Sequence, residues 1–243
     1  GNPAYTQIPN YHFLTEARYH GASVVVIAPD YNASAMHADL FVPVRPGTDV
    51  ALALAMAKWI LDEGLHDEAL LREQTDLPIL VRDDTGKFLR ESDLVDGGSD
   101  ETLYRWDRTR GALEIASTDS LALGDSDPAL EGSFEVETLA GQVTVRPVFE
   151  RLRAEVAPWT PEAASRVCGT PPDTIRRLAR MLAEAKAASN VETLCLGKIY
   201  HGDAIMRAQI LLFVLCGHLG RKGAGYVAVS NVAPDGHGPI LGD

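Results

Sequence analysis

Residues 24–49, VVVIAPDYNASAMHADLFVPVRPGTD, hold two short apolar runs, each closed by turn residues. Val24, Val25, Val26 and Ile27 are consecutive and β-branched, which predicts a buried strand. It stops at Pro29-Asp30, a breaker followed by an acid. Leu40, Phe41, Val42, Pro43 and Val44 predict a second strand, stopped by Pro46-Gly47-Thr48-Asp49 just before a long helical pattern. Buried strands with loops at their carboxyl ends are how an α/β sheet holds a nucleotide. Asp30 stands where a carboxylate accepts ribose hydroxyls. Gly47 lets the backbone approach a ligand closely. Asp49 has two readings: it caps the following helix, or it accepts N–H donors from a base edge. A carboxylate has lone pairs enough for both.

On the amino-terminal side, residues 1–9 read as a loop and a helix is predicted from Asn10 or Tyr11 to about His20, ended by Gly21. Residues 32–37 predict a short helical turn. With a strand expected just before Gly1, residues 1–74 form β-α-β-α-β, the dinucleotide-binding half of a doubly wound sheet. A mostly buried helix runs from Thr48 or Asp49 to about Glu63, and a short one over 67–73. Residues 75–148 change character: short strands alternate with acidic turns such as Asp83-Asp84-Thr85-Gly86 and Asp96-Gly97-Gly98-Ser99-Asp100. This reads as a β-rich insertion, outside any cofactor site. Over 149–243 helices return, with starts at Thr160-Pro161-Glu162 and at residues 170–173. A strand over 192–196 and a helix over about 203–216 lead back to the sheet. The fold class is therefore α/β, a Rossmann-like doubly wound parallel sheet with a β-rich insertion.

The chain has 243 residues, 46% hydrophobic and 23% charged, with a net charge of −12. That acidity argues against a nucleic-acid-binding surface, which needs basic patches, and leaves room for a local basic pocket that holds a phosphate. No apolar run approaches the about 20 residues of a membrane helix, so direct membrane insertion is not expected. No secretory or twin-arginine signal is present, and the chain opens on a turn without Met, as the central region of a longer protein would. Cys168, Cys195 and Cys216 form no Cys-x-x-Cys pair, so neither zinc nor an iron–sulfur cluster is expected from this chain alone. No Gly-x-Gly-x-x-Gly follows a strand, which disfavours an ordinary Rossmann dehydrogenase. Ser120 and Ser230 lie in no nucleophile elbow, which disfavours a serine hydrolase.

Two further stretches carry candidate chemistry. The turn at Asn2 offers a side-chain amide and backbone N–H groups to a pyrophosphate, or is a plain Asn-Pro turn. Residues 196–203, LGKIYHGD, place Lys198, His201 and Asp203 in one turn after a strand. Asp203 either joins that site or only caps the next helix.

Asp30, Ala38-Asp39, Arg45-Pro46-Gly47-Thr48-Asp49 with its Ala/Leu-rich helix, Gly1-Asn2-Pro3, and GHLGRKGAG over 217–225 together resemble the molybdopterin oxidoreductases, the dimethyl sulfoxide reductase family. The resemblance covers nearly the whole chain in order. It implies a catalytic subunit holding molybdenum in a bis(molybdopterin guanine dinucleotide) cofactor, for two-electron oxygen-atom transfer or hydroxylation of a small-molecule substrate. By the same resemblance Gly1, Asn2 and Pro3 lie against the dinucleotide, as do Pro29 and Asp30. Gly47 and Thr48 flank Asp49, which takes the guanine edge. Leu196, Gly197, Lys198 and His201 lie under the pterins near the metal, with Lys198 and His201 as the catalytic candidates. Metal ligands are expected from none of these residues. The molybdenum-ligating Asp and the cysteines of a [4Fe-4S] cluster fall before Gly1 in the full-length protein, so this chain alone is expected to be inactive. Tyr31 stands where the family usually has Arg.

Residues 200–203 (YHGD), 88–93 (FLRESD) and 75–78 (TDLP) resemble the branch of respiratory nitrate reductase, selenate and chlorate reductases, dimethyl sulfide dehydrogenase and ethylbenzene dehydrogenase. That branch implies anaerobic respiration, an iron–sulfur electron-transfer subunit and a haem subunit as partners. It also implies a periplasmic setting, or the cytoplasmic side of the membrane for a nitrate reductase-like member. The alternative is a non-catalytic electron-transfer scaffold resembling the large iron–sulfur subunit of respiratory complex I. The retained Asp49, Lys198 and His201 count against it.

Overall fold

The computed structural model describes residues 2–6, 8–117, 122–192 and 198–228. The chain divides into two compact units, Gly1–Leu65 with Trp159–Asp243, and His66–Pro158. The short helix α4 and the helix α6 defined below thus go with the β-rich segment rather than with its flanks.

The first unit opens with helices α1 (Pro3–Thr6) and α2 (Ile8–Tyr19). The loop expected over residues 1–9 is instead largely helical. The reason is local: the Asn2 carbonyl accepts the amides of Tyr5 and Thr6, both at 2.9 Å, and Pro3 has the φ a first helical residue needs. α2 ends at Gly21, whose φ of 91° suits only glycine comfortably, while the Ala22 amide reaches back to the Ala17 carbonyl at 3.0 Å. Strands β1 (Val25–Ala28) and β2 (Leu40–Pro43) pair in parallel, joined through the 3₁₀ turn Ala35–His37. β1 is less buried than its composition predicts, with Ile27 44% exposed, because β2 is its one partner among the described residues. Helix α3 (Asp49–Asp62) buries Ala51, Ala53, Ala55 and Ala57 together with Leu52, Met56 and Ile60. Those alanines let neighbouring helices approach closely.

The second unit runs α4 (Glu68–Gln74), β3 (Leu80–Arg82), α5 (Glu91–Leu94), β4 (Leu103–Asp107), β5 (Ala112–Ala116), β6 (Phe134–Thr138), β7 (Gly141–Pro147) and α6 (Val148–Val156). It is antiparallel, in the orders β3-β7-β6 and β4-β5. Leu80, Leu89, Val136 and Val145 form its core, and Trp106 stacks on Phe134 at 4.4 Å. Much of the unit's acidity sits in arginine pairs. Arg82, buried, meets Asp84 and Asp93. Asp127 bridges Arg72 and Arg108. Asp93 also accepts the Arg90 amide at 2.9 Å and so starts α5. Asp93→Ala takes one of the two carboxylate partners from a buried guanidinium and removes a cap. A loss of about 2–3 kcal/mol is expected, measured by the denaturation midpoint of this unit.

The chain then returns to the first unit as α7 (Pro161–Cys168), α8 (Pro172–Glu184), β8 (Ser189–Glu192), α9 (Gly202–Leu215) and β9 (Gly225–Ala228). Thr160 caps α7 as its sequence predicts, accepting the Ala163 amide at 3.1 Å. Thr170 does not cap α8. Its hydroxyl donates to the Pro43 carbonyl at the end of β2, and Pro171 takes the cap position instead. β8 starts earlier than expected, at Ser189, and pairs in parallel with β9. Residues 193–196 of the expected strand lie outside the described residues. α7, α8 and α9 all pack on α3. Arg180 of α8 lies 5.3 Å from the Trp59 ring centroid. The architecture is α/β with a β-rich insertion, its described parallel strands forming the pairs β1-β2 and β8-β9.

Candidate functional site

The turn after β2 is held from both sides. The Arg45 amide donates to the Cys168 carbonyl at 2.8 Å, and its guanidinium donates to the Arg166 and Val167 carbonyls at 2.9 and 3.1 Å. Together with Thr170 on Pro43, this ties the end of β2 to the α7–α8 corner. Gly169 at that corner has φ 81°, and a Cβ there would meet Arg45 Nε at 3.3 Å. The following residues, Pro46 and Gly47, are exposed on a rigid base, with Gly47 at φ 79°. The Thr48 hydroxyl donates to the Arg45 carbonyl at 2.7 Å, and its side chain makes no capping hydrogen bond to α3.

Asp49 is the first residue of α3, and Thr48 holds the cap position. Asp49 is therefore not the capping residue. Its carboxyl is half-buried, and burial pushes its pKa up, opposed by a hydrogen bond from its own amide. A desolvated carboxylate with so little protein solvation is built to receive donors from elsewhere.

Glu192, at the end of β8, was not among the candidates from sequence. It is 8% exposed, and neither carboxylate oxygen has a hydrogen-bond partner. Its pKa is pushed up to about 7 by burial, with the negative charge of Asp49 adding to the rise. Asp49 feels no matching push from Glu192, because Glu192 is still neutral when Asp49 ionises. The charge of Asp49, at the start of α3, thus reaches Glu192 at the end of β8. The signal in the sequence was an acid inside the apolar run VETLCL.

On the other edge, Asn2 is half-buried. Its side-chain carbonyl oxygen accepts the Ser34 hydroxyl at 2.5 Å, and the Ser34 oxygen accepts the Ala4 amide at 3.0 Å. With the Tyr5 and Thr6 amides on the Asn2 carbonyl, the backbone donors expected for a pyrophosphate at this turn are engaged within the protein. The pair locks the start of the chain, including Pro3, onto the loop after β1. In that loop Pro29 and Asp30 are exposed, and Asn32 accepts the Ser34 and Ala35 amides. Tyr31, in the place of the usual Arg, packs edge-on against Phe41 at 5.3 Å.

Lys198 and His201 are exposed ahead of α9. His201 has φ 55°, the one positive value among described residues other than glycine. A bulky residue held there is strained, a state that persists at functional sites when the surroundings enforce it. Its ring rests against Tyr200 at 3.9 Å, and its carbonyl accepts the Ile205 amide at 3.2 Å. Among the described residues neither Lys198 nor His201 bonds to Asp30 or Asp49. Gly1, Leu196 and Gly197 lie outside the described residues. No group of three or more metal-ligating side chains occurs among the described residues, and no described helix is long and apolar enough to cross a membrane.

Residues 2–238 match the family model of the molybdopterin oxidoreductases. The chain belongs to that family. It is similar to the alpha subunit of dimethylsulfide dehydrogenase of Rhodovulum sulfidophilum, 45% identical over 228 residues, 91% of this chain and 25% of that protein. It is likewise similar to the alpha subunit of chlorate reductase of Ideonella dechloratans, 46% identical over 230 residues, 92% of this chain and 25% of that protein. Acetylene hydratase of Pelobacter acetylenicus shares the fold, with a TM-score of 0.55 at 18% identity over 89% of this chain and 20% of that one. The chain spans about a quarter of the length of these curated relatives. Both belong to the branch that YHGD, FLRESD and TDLP pointed to. A molybdenum–pterin cofactor is thereby implied for the family. The residues present fit a donor-rich ligand: Asp49 is desolvated and Glu192 is buried without a partner.

Proposed function

We propose that this chain is the dinucleotide-binding part of the catalytic subunit of a molybdenum oxidoreductase, and that Asp49 holds the guanine edge of a bis(molybdopterin guanine dinucleotide) cofactor. The observation that carries this is Asp49 itself: a half-buried carboxylate at a strand-end turn, behind Pro46-Gly47, solvated within the protein by its own amide. The Arg45 anchorage, which ties the turn before Asp49 to the α7–α8 corner, supports that reading. Asp30 would meet ribose hydroxyls at the end of β1, with Pro29 and Gly47 letting the backbone come close. Thr48, its hydroxyl tied back to Arg45, orients the turn. When bound, the cofactor would supply two-electron oxygen-atom transfer or hydroxylation, and this chain binds, orients and shields it. The relatives named as dimethylsulfide dehydrogenase and chlorate reductase alpha subunits make a small inorganic or sulfur-containing substrate, and an iron–sulfur partner subunit, the reading to test. Molybdenum and guanine analysis of the purified full-length protein tests it. About one molybdenum and two guanines per chain are expected, and absence of both would point to the electron-transfer scaffold instead.

Lys198 and His201 have a separate test. A cation near an anionic dithiolene-bound metal stabilises the more negative, reduced state. Lys198→Ala is expected to lower the metal's potential or slow turnover, with folding unchanged, because an exposed lysine adds little stability. For His201, glycine is the informative substitution, since it keeps φ 55° without strain while deleting the ring. His201→Gly should slow turnover more than it reduces bound cofactor. Wild-type turnover and potential in both variants would remove these residues from the site.

A further inference from the structure

We propose that Arg45 is an anion-binding residue, holding a phosphate oxyanion of the bound nucleotide through the free edge of its guanidinium. This rests on the reading of the turn after β2 as part of the cofactor site. A dinucleotide brings a pyrophosphate to a chain whose net charge is −12, so a cation has to meet it. The turn at Asn2 engages its amides within the protein, Ala4 on Ser34, and Tyr5 and Thr6 on the Asn2 carbonyl. The loop after β1, Pro29-Asp30-Tyr31-Asn32, carries an acid and no cation.

Arg45 is held in place. Its Nη1 donates to the Arg166 and Val167 carbonyls in the last turn of α7, at 2.9 and 3.1 Å. Its guanidinium lies over Gly169, where a Cβ would come within 3.3 Å of Nε and 3.6 Å of Cζ, so the missing side chain makes its seat. Its backbone opens the turn Arg45-Pro46-Gly47-Thr48, closed by the Thr48 amide on the Arg45 carbonyl at 3.2 Å. Proline second and Gly47 third, at φ 79°, suit a type II turn. Arg45 is also open. The residue is exposed, and Nε and Nη2 have no acceptor among the described residues. Those two nitrogens form one edge of the guanidinium, a planar fork that takes two phosphate oxygens at once. Nor does a carboxylate neutralise it. Arg82, Arg105 and Arg176 face acids, whereas Arg45 forms no ion pair among the described residues. Tying the turn to α7 needs only Nη1, which a lysine ammonium could replace. The remaining fork is what arginine alone supplies, already oriented by the contacts of Nη1.

The test titrates full-length protein purified without cofactor, by calorimetry at low ionic strength, with GDP, guanosine and inorganic pyrophosphate. Wild type should bind pyrophosphate, and GDP more tightly than guanosine. Arg45→Lys keeps the charge and a donor for α7 but loses the fork. It should weaken GDP and pyrophosphate roughly tenfold and leave guanosine unchanged, which also checks that the turn is intact. Arg45→Gln removes the charge as well, so it should weaken both further and flatten the salt dependence of GDP binding. Equal loss of GDP and guanosine would overturn the proposal in favour of a clamp on α7 alone. Wild-type affinity for GDP and pyrophosphate in both variants would overturn it too. Asp49→Asn separates this inference from the guanine reading, since it should weaken guanosine and GDP and spare pyrophosphate. Guanosine binding untouched by Asp49→Asn, with pyrophosphate still lost in the Arg45 variants, would take Asp49 off the base and leave Arg45 on the phosphate.

Discussion

Full-length protein carrying Asp49→Asn is expected to purify with most of its guanine nucleotide missing. The wild-type carboxylate offers two charged acceptors to two N–H donors, and bonds of that kind contribute about 1.5–3 kcal/mol each. An asparagine keeps one carbonyl oxygen and turns its own NH₂ against the other donor. One bond is lost, one loses its charge, and a donor faces a donor, so the expected loss of affinity is on the order of a hundredfold or more. The helix is not at stake, since Asp49 is not the cap of α3 and its neighbour Thr48 already bonds to Arg45. The same argument gives a pH dependence. Burial raises the Asp49 pKa, so as pH falls the carboxylate protonates, and lets go of two donors, earlier than an ordinary aspartate would. Guanine and molybdenum released on gentle acidification measure that directly. Wild-type guanine content in the purified variant would take Asp49 out of the cofactor site.

The parts of the fold legible in the sequence are those set by local chemistry. Thr160-Pro161 starts α7 and Gly169 ends it with a left-handed residue, as such residues do wherever they fall. α3 is readable because its apolar residues cover most of its circumference. What escaped depends on partners far along the chain. α1 is fastened by Ser34, thirty-odd residues away, which holds the Ala4 amide and the Asn2 side chain. Thr170 looks like a cap three residues before an acid, yet its hydroxyl goes to Pro43, on the end of β2. α5 was hidden in FLRESD, where Asp93 reaching back to the Arg90 amide was the overlooked cue. The candidate site divides the same way. Pro46-Gly47-Thr48-Asp49 announces itself by turn chemistry and helix start. Glu192 does not, because a strand recognised by its apolar residues hides the one acid among them. The left-handed backbone of His201 is equally silent, since the residue after it, Gly202, is the one that composition nominates for such a conformation.

Glu192→Gln is expected to make the cofactor-free protein more stable at pH 8, relative to wild type, than at pH 4.5. In the unfolded chain Glu192 titrates near 4.3, whereas in the fold burial and the charge of Asp49 push it up to about 7. Below about pH 4 the group is neutral in both states and adds no pH-dependent term. As pH rises from there to 7 the unfolded chain gives up its proton while the folded chain keeps it, and stability falls at up to about 1.4 kcal/mol per pH unit. Above 7 both forms are ionised and the difference is constant. Allowing for relaxation around a buried charge, the accumulated loss is roughly 2–3 kcal/mol. Glutamine does not ionise, so subtracting its stability curve from that of wild type isolates this one group. Whatever unpaired-amide cost the substitution carries is the same at every pH. Chemical denaturation of both proteins from pH 4.5 to 8 measures it, and parallel curves across that range would mean that the Glu192 carboxyl is hydrated in the fold and not buried.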